Sequence, residues 1–310
     1  MIRNFEDVIS AARNSAPRPV VVAGAENRAV LEAVRQGQAA GFLRPVLVDE
    51  ASVLSRLKNE FPEDTNFAGT RTGEEQAVAA TAVAALRDLP GGILLKGSVS
   101  TAAVMRAVLD KRSGLPREGL LSDSFLFQDE RRAGNQLIDI TDGGVVLYPD
   151  LEQQQAILEN AVRLYHALGH PRPRVAVCAA IERVNEKMPP TVQAAELKRR
   201  YQEGEITGCV VDGPLALDCA LSRDALQIKG MHSELEGEAD ILVMPSIEAA
   251  NLVAKSTQYI AGKEAAHVIM GAAAPVLIPS RSDTIRGKFL SLALAAVVSA
   301  VRPATTSPRH

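Results

Sequence analysis

Short apolar runs alternate along this chain with stretches of helical period, and that alternation restricts the fold more than any other feature. Pro19–Gly24 (PVVVAG), Pro45–Asp49 (PVLVD) and Gly92–Lys96 (GILLK) have the length and branched apolar content of buried strands. Between them, Asn27–Gly37 places Val30, Leu31 and Val34 on one helical face, and Glu74–Leu86 is an Ala-rich helix. Thr101–Lys111 then gathers Val104, Val108 and Leu109. Runs that are apolar throughout suit strands covered on both faces, so the pattern predicts an α/β fold with mainly parallel sheets under helices.

The second half repeats the pattern after a change at Asp139–Tyr148 (DITDGGVVLY). Asp150 can cap a helix with Gln153 three residues on, while Leu151, Ile157, Leu158, Val162 and Tyr165 keep helical spacing up to Gly169. Arg174–Ile181, Cys209–Asp212, Ile241–Pro245 and His267–Met270 read as strands, and Val192–Glu203 as a helix. A length of 310 residues exceeds a usual single core. Two domains are therefore expected, with a boundary between 140 and 150 and a cleft between them.

Composition excludes several classes. A net charge of −3 without a basic block argues against general nucleic-acid binding, and 4% aromatics with no Trp leave no base-stacking platform. Cys178, Cys209 and Cys219 show no CxxC spacing, which argues against a zinc site or redox dithiol and suits a reducing, cytoplasmic setting. The first residues, MIRNFEDVISAARN, carry acids and lack a signal core, and Phe289–Val301 is too short to span a bilayer. No membrane partner, metal or resident cofactor is expected.

The segments able to carry chemistry follow predicted strands. After the run Ala272–Ile278 and Pro279 come Ser280, Arg281, Ser282 and Asp283. A guanidinium flanked by hydroxyls at a strand's C-terminal end matches an oxyanion site; the same residues also suit a helix N-cap by Ser280 or Ser282 with an ion-paired surface Arg. Lys96-Gly-Ser-Val-Ser-Thr101 joins a strand to a helix, where Lys96, Ser98 and Thr101 can meet an anion or merely cap the helix. Thr141-Asp-Gly-Gly144 allows a tight turn with Asp142 at its start. In Val211-Asp-Gly-Pro-Leu-Ala-Leu-Asp218, the strand-end Asp212 and Asp218 in the next helix can act as a base or hold a cationic partner, or Asp212 merely begins a turn with Asp218 on a solvated face. Asn251 and Lys255, four apart, share a helix face with Glu248. Loops at the ends of parallel strands converge, and this shared position is what joins the weak signals. Gly24-Ala-Glu-Asn-Arg28 after the first strand is not a Gly-x-Gly-x-x-Gly dinucleotide turn, and among these loops only His232 supplies an imidazole, so a Ser–His triad is not expected.

Taken in order, KGSVST (96–101), TDGG and YPDL (141–151), VNEKMPPTVQAA (184–195), GCVVDGPLALD (208–218), KG with ADILVMPSIEAANLVAK (229–255) and APVLIPSRSD (274–283) resemble the phosphate acetyltransferase/phosphate butyryltransferase family, and the butyryltransferase branch more closely. The resemblance implies reversible acyl transfer between coenzyme A and inorganic phosphate, with CoA as a substrate. It also implies an isocitrate-dehydrogenase-like pair of α/β domains: 1–143 with 284–310 as the first, its C-terminal helix returning to it, and 144–283 as the second. Assembly as a homodimer or larger homo-oligomer through the second domain is implied too.

Ser280 and Arg281 match the family's Ser-Arg site. Arg281 is then the candidate for phosphate charge, Ser280 for a hydrogen bond to the carbonyl or phosphate oxygen, and Asp283 for the base. Lys96, Ser98, Thr101, Asp142, Asp212, Asn251 and Lys255 are the candidates for phosphate and CoA contacts. One departure stands out: butyryltransferase-like members usually carry an acid where this chain has Arg286, before a Lys matching Lys288. The alternatives are a non-catalytic acyl-CoA-binding or oligomerisation protein, and a metal- and NAD-dependent dehydrogenase on a related fold.

Overall fold

The computed structural model describes residues 1–301, the side chains of 117 and 118 excepted. In chain order the elements are α1 (Phe5–Arg13), β1 (Arg18–Ala23), α2 (Arg28–Ala39), β2 (Leu43–Glu50), α3 (Ala51–Leu57), β3 (Asn66–Thr70), α4 (Glu75–Arg87), β4 (Ile93–Lys96) and α5 (Thr101–Leu109). Next come β5 (Arg117–Asp129), β6 (Gln136–Thr141), α6 (Leu151–Ala167), β7 (Arg174–Cys178), α7 (Pro189–Gln202), β8 (Val210–Leu215), α8 (Leu217–Leu221), α9 (Arg223–Ile228), β9 (Ile241–Val243) and α10 (Ile247–Tyr259). The chain closes with β10 (Ala265–Ala272), β11 (Val276–Leu277) and α11 (Ile285–Val301).

These elements form two compact units. The outer unit comprises residues 5–118 and 266 onward; the central unit comprises 1–4 and 119–265. The central unit thus begins upstream of the turn at 143/144, because β5 and β6 form an antiparallel hairpin, with Ser124 opposite Thr141, that stays on one sheet. Of the segment 284–310 expected to return to the first domain, 302–310 lie outside the described residues.

In the outer unit the strand order is β3-β2-β1-β4-β11-β10. All neighbours are parallel except β10, which pairs antiparallel to β11. The run 272–278 read as one strand is therefore the end of β10, a turn and the two-residue β11. Val20–Val22 and Ile93–Leu94 are fully buried, as continuous apolar runs in a covered sheet should be. Helix α11 is apolar all round. From Phe289 to Ser299 every side chain is buried, the signature of a core helix, and it packs on α1 and α2. Phe289 meets Phe42 edge to face with ring centroids 5.5 Å apart.

The central unit has the order β5-β6-β9-β7-β8, parallel from β6 onward. Helix α6 starts with the expected capping box: Asp150 accepts from the Gln153 N–H at 2.9 Å, and the Gln153 side chain accepts from the Asp150 N–H at 3.0 Å. Ile157, Leu158, Ala161 and Tyr165 of α6 pack with Val175 and Val177 of β7, Ile241 and Val243 of β9, and Ala194 and Leu197 of α7. The Tyr165 hydroxyl, deep in that core, donates to the carbonyl of Leu137 or Asp240, at 2.9 and 2.8 Å.

Candidate active site

Register builds the outer-unit cluster. Because β4 and β11 run parallel with Leu94 opposite Val276 and Leu95 opposite Leu277, Lys96 and the residues after Leu277 leave the sheet at the same edge. The β1 loop leaves there as well, since Ala23 lies opposite Lys96. The β1 and β4 loops touch: the Gly97 N–H donates to Ala23 O (2.9 Å) and the Ser98 N–H to Gly24 O (3.0 Å). Beneath them the buried Asp49 carboxylate accepts from the N–H groups of Ala25 (2.6 Å) and Glu50 (2.7 Å). An internal carboxyl group therefore occupies the Ala25 N–H, a donor that a nucleotide phosphate would use after a first strand.

Three cations gather at this edge. Lys96 and Lys288 are buried, and Arg281 is exposed near Lys96. Burial, then the neighbouring charges of Arg281 and Lys288, push the Lys96 ammonium below its usual pKa range, against the pull of Glu75. Burial likewise lowers Lys288, opposed by Asp283. Among the described residues no hydrogen bond or ion pair holds the Arg281 guanidinium, so the ion-paired surface Arg is not what this chain builds. Cations left crowded, with few counter-charges, attract an anion.

The turn itself is held from within. Asp283 Oδ2 accepts from the Ser280 N–H at 2.7 Å, the Asp283 N–H donates to Ser280 O at 3.2 Å, and Ser280 Oγ lies 3.0 Å from Ser282 Oγ. The Lys288 ammonium donates to Ser280 O at 3.4 Å and also to Asp283 O. A cation in the first turn of a helix opposes the macrodipole, so Lys288 is placed for the turn and not for α11. The helix N-terminus is closed by Thr284, whose Oγ1 accepts from the Gly287 N–H at 3.0 Å, in place of Ser280 or Ser282.

Of the other outer-unit expectations, Thr101 opens α5 and is exposed, while Ser100 is the cap, its Oγ accepting from the Ala103 N–H at 3.3 Å. Ser98 Oγ turns toward the β1 loop and accepts from the Glu26 N–H at 3.5 Å. Three residues join the cluster that the sequence reading passed over. Lys288 is one. Glu75, at the start of α4, is held down in pKa first by hydrogen bonds from Ser100, then by Lys96 and Arg281. His267 of β10 lies with Nε2 3.4 Å from Asp283 Oδ2. Arg286 pairs with Glu6 at 3.1 Å and lies over the Phe289 ring.

The central unit brings Asp142 and Asn251 together by the same logic, since β6 and β9 run parallel with Thr141 opposite Val243. Asn251 Nδ2 donates to Gly143 O at 3.1 Å. The buried Asp142 carboxylate accepts from the N–H groups of Gly144 (2.9 Å), Val145 (3.0 Å), Val146 (2.9 Å) and Asp123 (3.2 Å) and so shapes the glycine turn. Burial, with the charge of Asp123 next, raises its pKa to about 6 despite those donors. Lys255 lies 5.8 Å above the Tyr259 ring, and Tyr148 hydrogen-bonds Glu248.

Asp212 stands apart. It lies inside β8 and not at a strand end, because the strand runs on through Gly213-Pro214 to Leu215. Its buried carboxylate is taken by Lys198 (2.7 Å), the Ser233 hydroxyl (2.6 Å) and the Gly213 N–H (2.8 Å). Among the described residues, ligand atoms of Glu182, Asp218 and Cys219 lie within 4.8 Å of one another, a spacing a metal ion can bridge. The Lys229 ammonium already supplies the positive charge there, 2.6 Å from Glu182 and 2.8 Å from Asp218. No helix among the described residues is long and apolar enough to cross a membrane.

Fold and cluster together define an α/β protein with a cation-lined centre at the ends of parallel strands. The family model for "Phosphate acetyl/butaryl transferase" matches residues 74–296. Phosphate butyryltransferase of Clostridium acetobutylicum is 36% identical over 300 residues, covering 96% of this chain and 99% of that protein. Phosphate acetyltransferase of Rhizobium meliloti is 34% identical, covering 97% and 95%. The chain belongs to the phosphate acetyltransferase/phosphate butyryltransferase family. The crystal structure of a branched-chain phosphotransacylase from Enterococcus faecalis V583 superposes with a TM-score of 0.80 at 28% identity, over 91% of this chain and 99% of that one.

Proposed function

We propose that this protein catalyses the reversible transfer of a short acyl group, butyryl or acetyl, between coenzyme A and inorganic phosphate. The single observation that carries the reading is the crowding of Lys96, Arg281 and Lys288 at the strand-end edge that carries the Ser280–Asp283 turn, in a member of this family. A phosphate oxygen attacks the thioester carbonyl, the C–S bond breaks, and acyl phosphate and CoA thiolate form. In reverse, the thiol gives up its proton, sulfur attacks the acyl phosphate carbonyl, and phosphate leaves.

Arg281 and Lys96 hold phosphate charge, which grows on the oxygens as the tetrahedral intermediate forms. Ser280 donates to the carbonyl or phosphate oxygen, and Asp283 is the base for the thiol. Ser98 and Thr101 supply further hydrogen bonds to the anion. Asn251 and Lys255 on α10, with Asp142 beside them, are the candidates for contacts to substrate in the central unit; Asp212, held by Lys198 and Ser233, is not among them. Aligning two bound substrates supplies much of the rest of the acceleration. The chemistry calls for no metal or resident cofactor, and the enzyme is placed in the cytoplasm.

Assembly as a homodimer or larger homo-oligomer belongs to the same reading. It is supported by Leu252, Tyr259 and Ile260 along α10 and at its end, exposed at 67%, 63% and 85%. The deciding experiment incubates the purified protein with acetyl-, butyryl- and longer acyl-CoAs plus phosphate and follows free thiol. Phosphate-dependent thiol release is expected. Its absence at every chain length overturns the assignment.

A further inference from the structure

Strand β11 is only two residues long, so the Ser280–Asp283 turn begins almost where the ladder hydrogen bonds stop. The turn that carries Arg281 is instead fixed by side chains, and Asp283 is their hub. Beside that hub stands an imidazole with no part in the reaction described above. Strands β10 and β11 pair antiparallel with Ile269 opposite Val276, which puts His267 level with Ile278, at the edge where the turn begins. Its Nε2 lies 3.4 Å from the same Asp283 oxygen that accepts the Ser280 N–H. Only 17% of the His267 side chain and 8% of the Asp283 side chain are exposed. A protonated imidazole at that distance is an ion-pair partner of the carboxylate, and in such surroundings it fixes the group more firmly than in water.

The main chain of His267 is tied down as well. Its N–H donates to Ser291 Oγ at 3.0 Å, and that hydroxyl donates to Gly287 O at 2.9 Å. Strand β10, the first turns of α11 and the Ser280–Asp283 turn are thereby fastened around one residue.

We propose that His267 is a positioning residue for acyl transfer: acting through Asp283, its imidazole holds the Ser280–Arg281 turn in place beside Lys96. The proposal rests on the functional reading above and deepens it. A guanidinium that must meet a phosphate oxygen on an exposed turn is effective only if the turn is rigid, and a displacement of about 1 Å costs on the order of 100-fold in rate. The imidazole works on the carboxylate's orientation and touches no substrate.

The test uses the full-length protein with His267→Ala, His267→Phe, His267→Gln, Asp283→Ala and the His267→Ala/Asp283→Ala double variant. Thermal stability, kcat, and separate KM values for phosphate and acyl-CoA are measured. His267→Phe keeps the volume and loses the ring nitrogens; His267→Gln keeps a polar N–H at similar reach. Expected for Ala and Phe are a fall in kcat of about 10- to 100-fold and a raised phosphate KM, with acyl-CoA KM within about twofold. His267→Gln should recover most of the loss, and His267→Ala should add little to Asp283→Ala. A His267→Phe enzyme at wild-type rate, a Gln variant no better than Phe, or additive losses in the double variant overturns the proposal, as does failure of all three His267 variants to fold. Absence of acyl transfer in the wild type overturns the functional reading itself, and that result is told apart because it precedes any variant.

Discussion

Replacing Gly97 by Ala tests whether the cation cluster depends on two loops lying in direct contact. A Cβ at Gly97 would sit 1.8 Å from Gly24 O, 2.9 Å from the Gly24 carbonyl carbon and 3.1 Å from Ala23 O. All three atoms are main chain, so no side chain can swing aside. The β1 and β4 loops have to separate, and the bonds from Gly97 N to Ala23 O and Ser98 N to Gly24 O stretch or break. At about 1 kcal/mol for each of the two bonds, with about 1–3 kcal/mol for forced overpacking, the loss is about 3–5 kcal/mol. For a unit of this size that lowers Tm by about 6–20 °C. Lys96 directly precedes the displaced residue, so kcat should fall along with stability. Gly69→Ala is the control: its Cβ would lie 3.6 Å from Ala51 Cβ, an ordinary contact, and it should stay within about 0.5 kcal/mol of wild type. Differential scanning calorimetry and the thiol-release assay read the two effects. A Gly97→Ala protein melting within 1 °C of wild type, by the resolution expected of calorimetry, would show that the loop contact is not what the structure says it is.

Arg281→Ala should cut turnover by about 100-fold or more while leaving Tm nearly unchanged, since no described residue relies on that guanidinium; equal turnover would remove it from the reaction. Asp142 gives a pH dependence. Its carboxyl is protonated below about 6 when folded but only below about 3.8 when unfolded, so its contribution to stability falls as pH rises from about 4 through 6. Asp123→Asn removes the like charge and should shrink the Tm loss between pH 5 and pH 7 by the equivalent of about 1 kcal/mol or less; an unchanged slope refutes the coupling. Arg286→Glu puts at 286 the acid that the family resemblance leads one to expect, but Arg286 is occupied with Glu6 on α1, so the change should cost at most about 1 kcal/mol and leave kcat within twofold. A tenfold rise in kcat would move the base from Asp283 to position 286.

What could be read ahead of the coordinates was whatever repeats with a local period. Strands β1, β2 and β4, the Asp150–Gln153 box and the Gly169 stop at φ +82° all follow from neighbours in sequence. The β5–β6 hairpin escaped because its hydroxyls and carboxylates break the apolar run. Ser122, Ser124 and Asp139 are buried; Ser124 Oγ donates to Asp139 Oδ2 at 2.8 Å across the hairpin, Ser122 Oγ accepts from Asn160 of α6 at 2.8 Å, and no local signal announces such pairings. Asp212 shows the opposite error. A carboxylate before Gly-Pro reads as a loop, yet Lys198 of α7 and Ser233 neutralise it within a strand.

The site was legible in its cations and hydroxyls and opaque in what holds them. Ser280, Arg281 and Lys96 fall at strand ends, and parallel register alone brings strand ends together. His267, Glu75 and Lys288 lie on a strand, a helix start and a buried helix, so a search confined to loops passes over them. Two carried a weak sign: His267 is the one imidazole in an apolar strand run, and Lys288 is the last charge before a helix stretch that carries none from Phe289 to Val301. Burying an ammonium or an imidazole is costly unless a partner meets it, so a lone titratable group in an apolar run implies a partner elsewhere in the chain. Here both partners lie in the same four-residue turn. Lys288 grips its carbonyls, and His267 stands against the carboxylate that closes it. The turn that carries the chemistry is for that reason the point where strand, helix and loop fix one another.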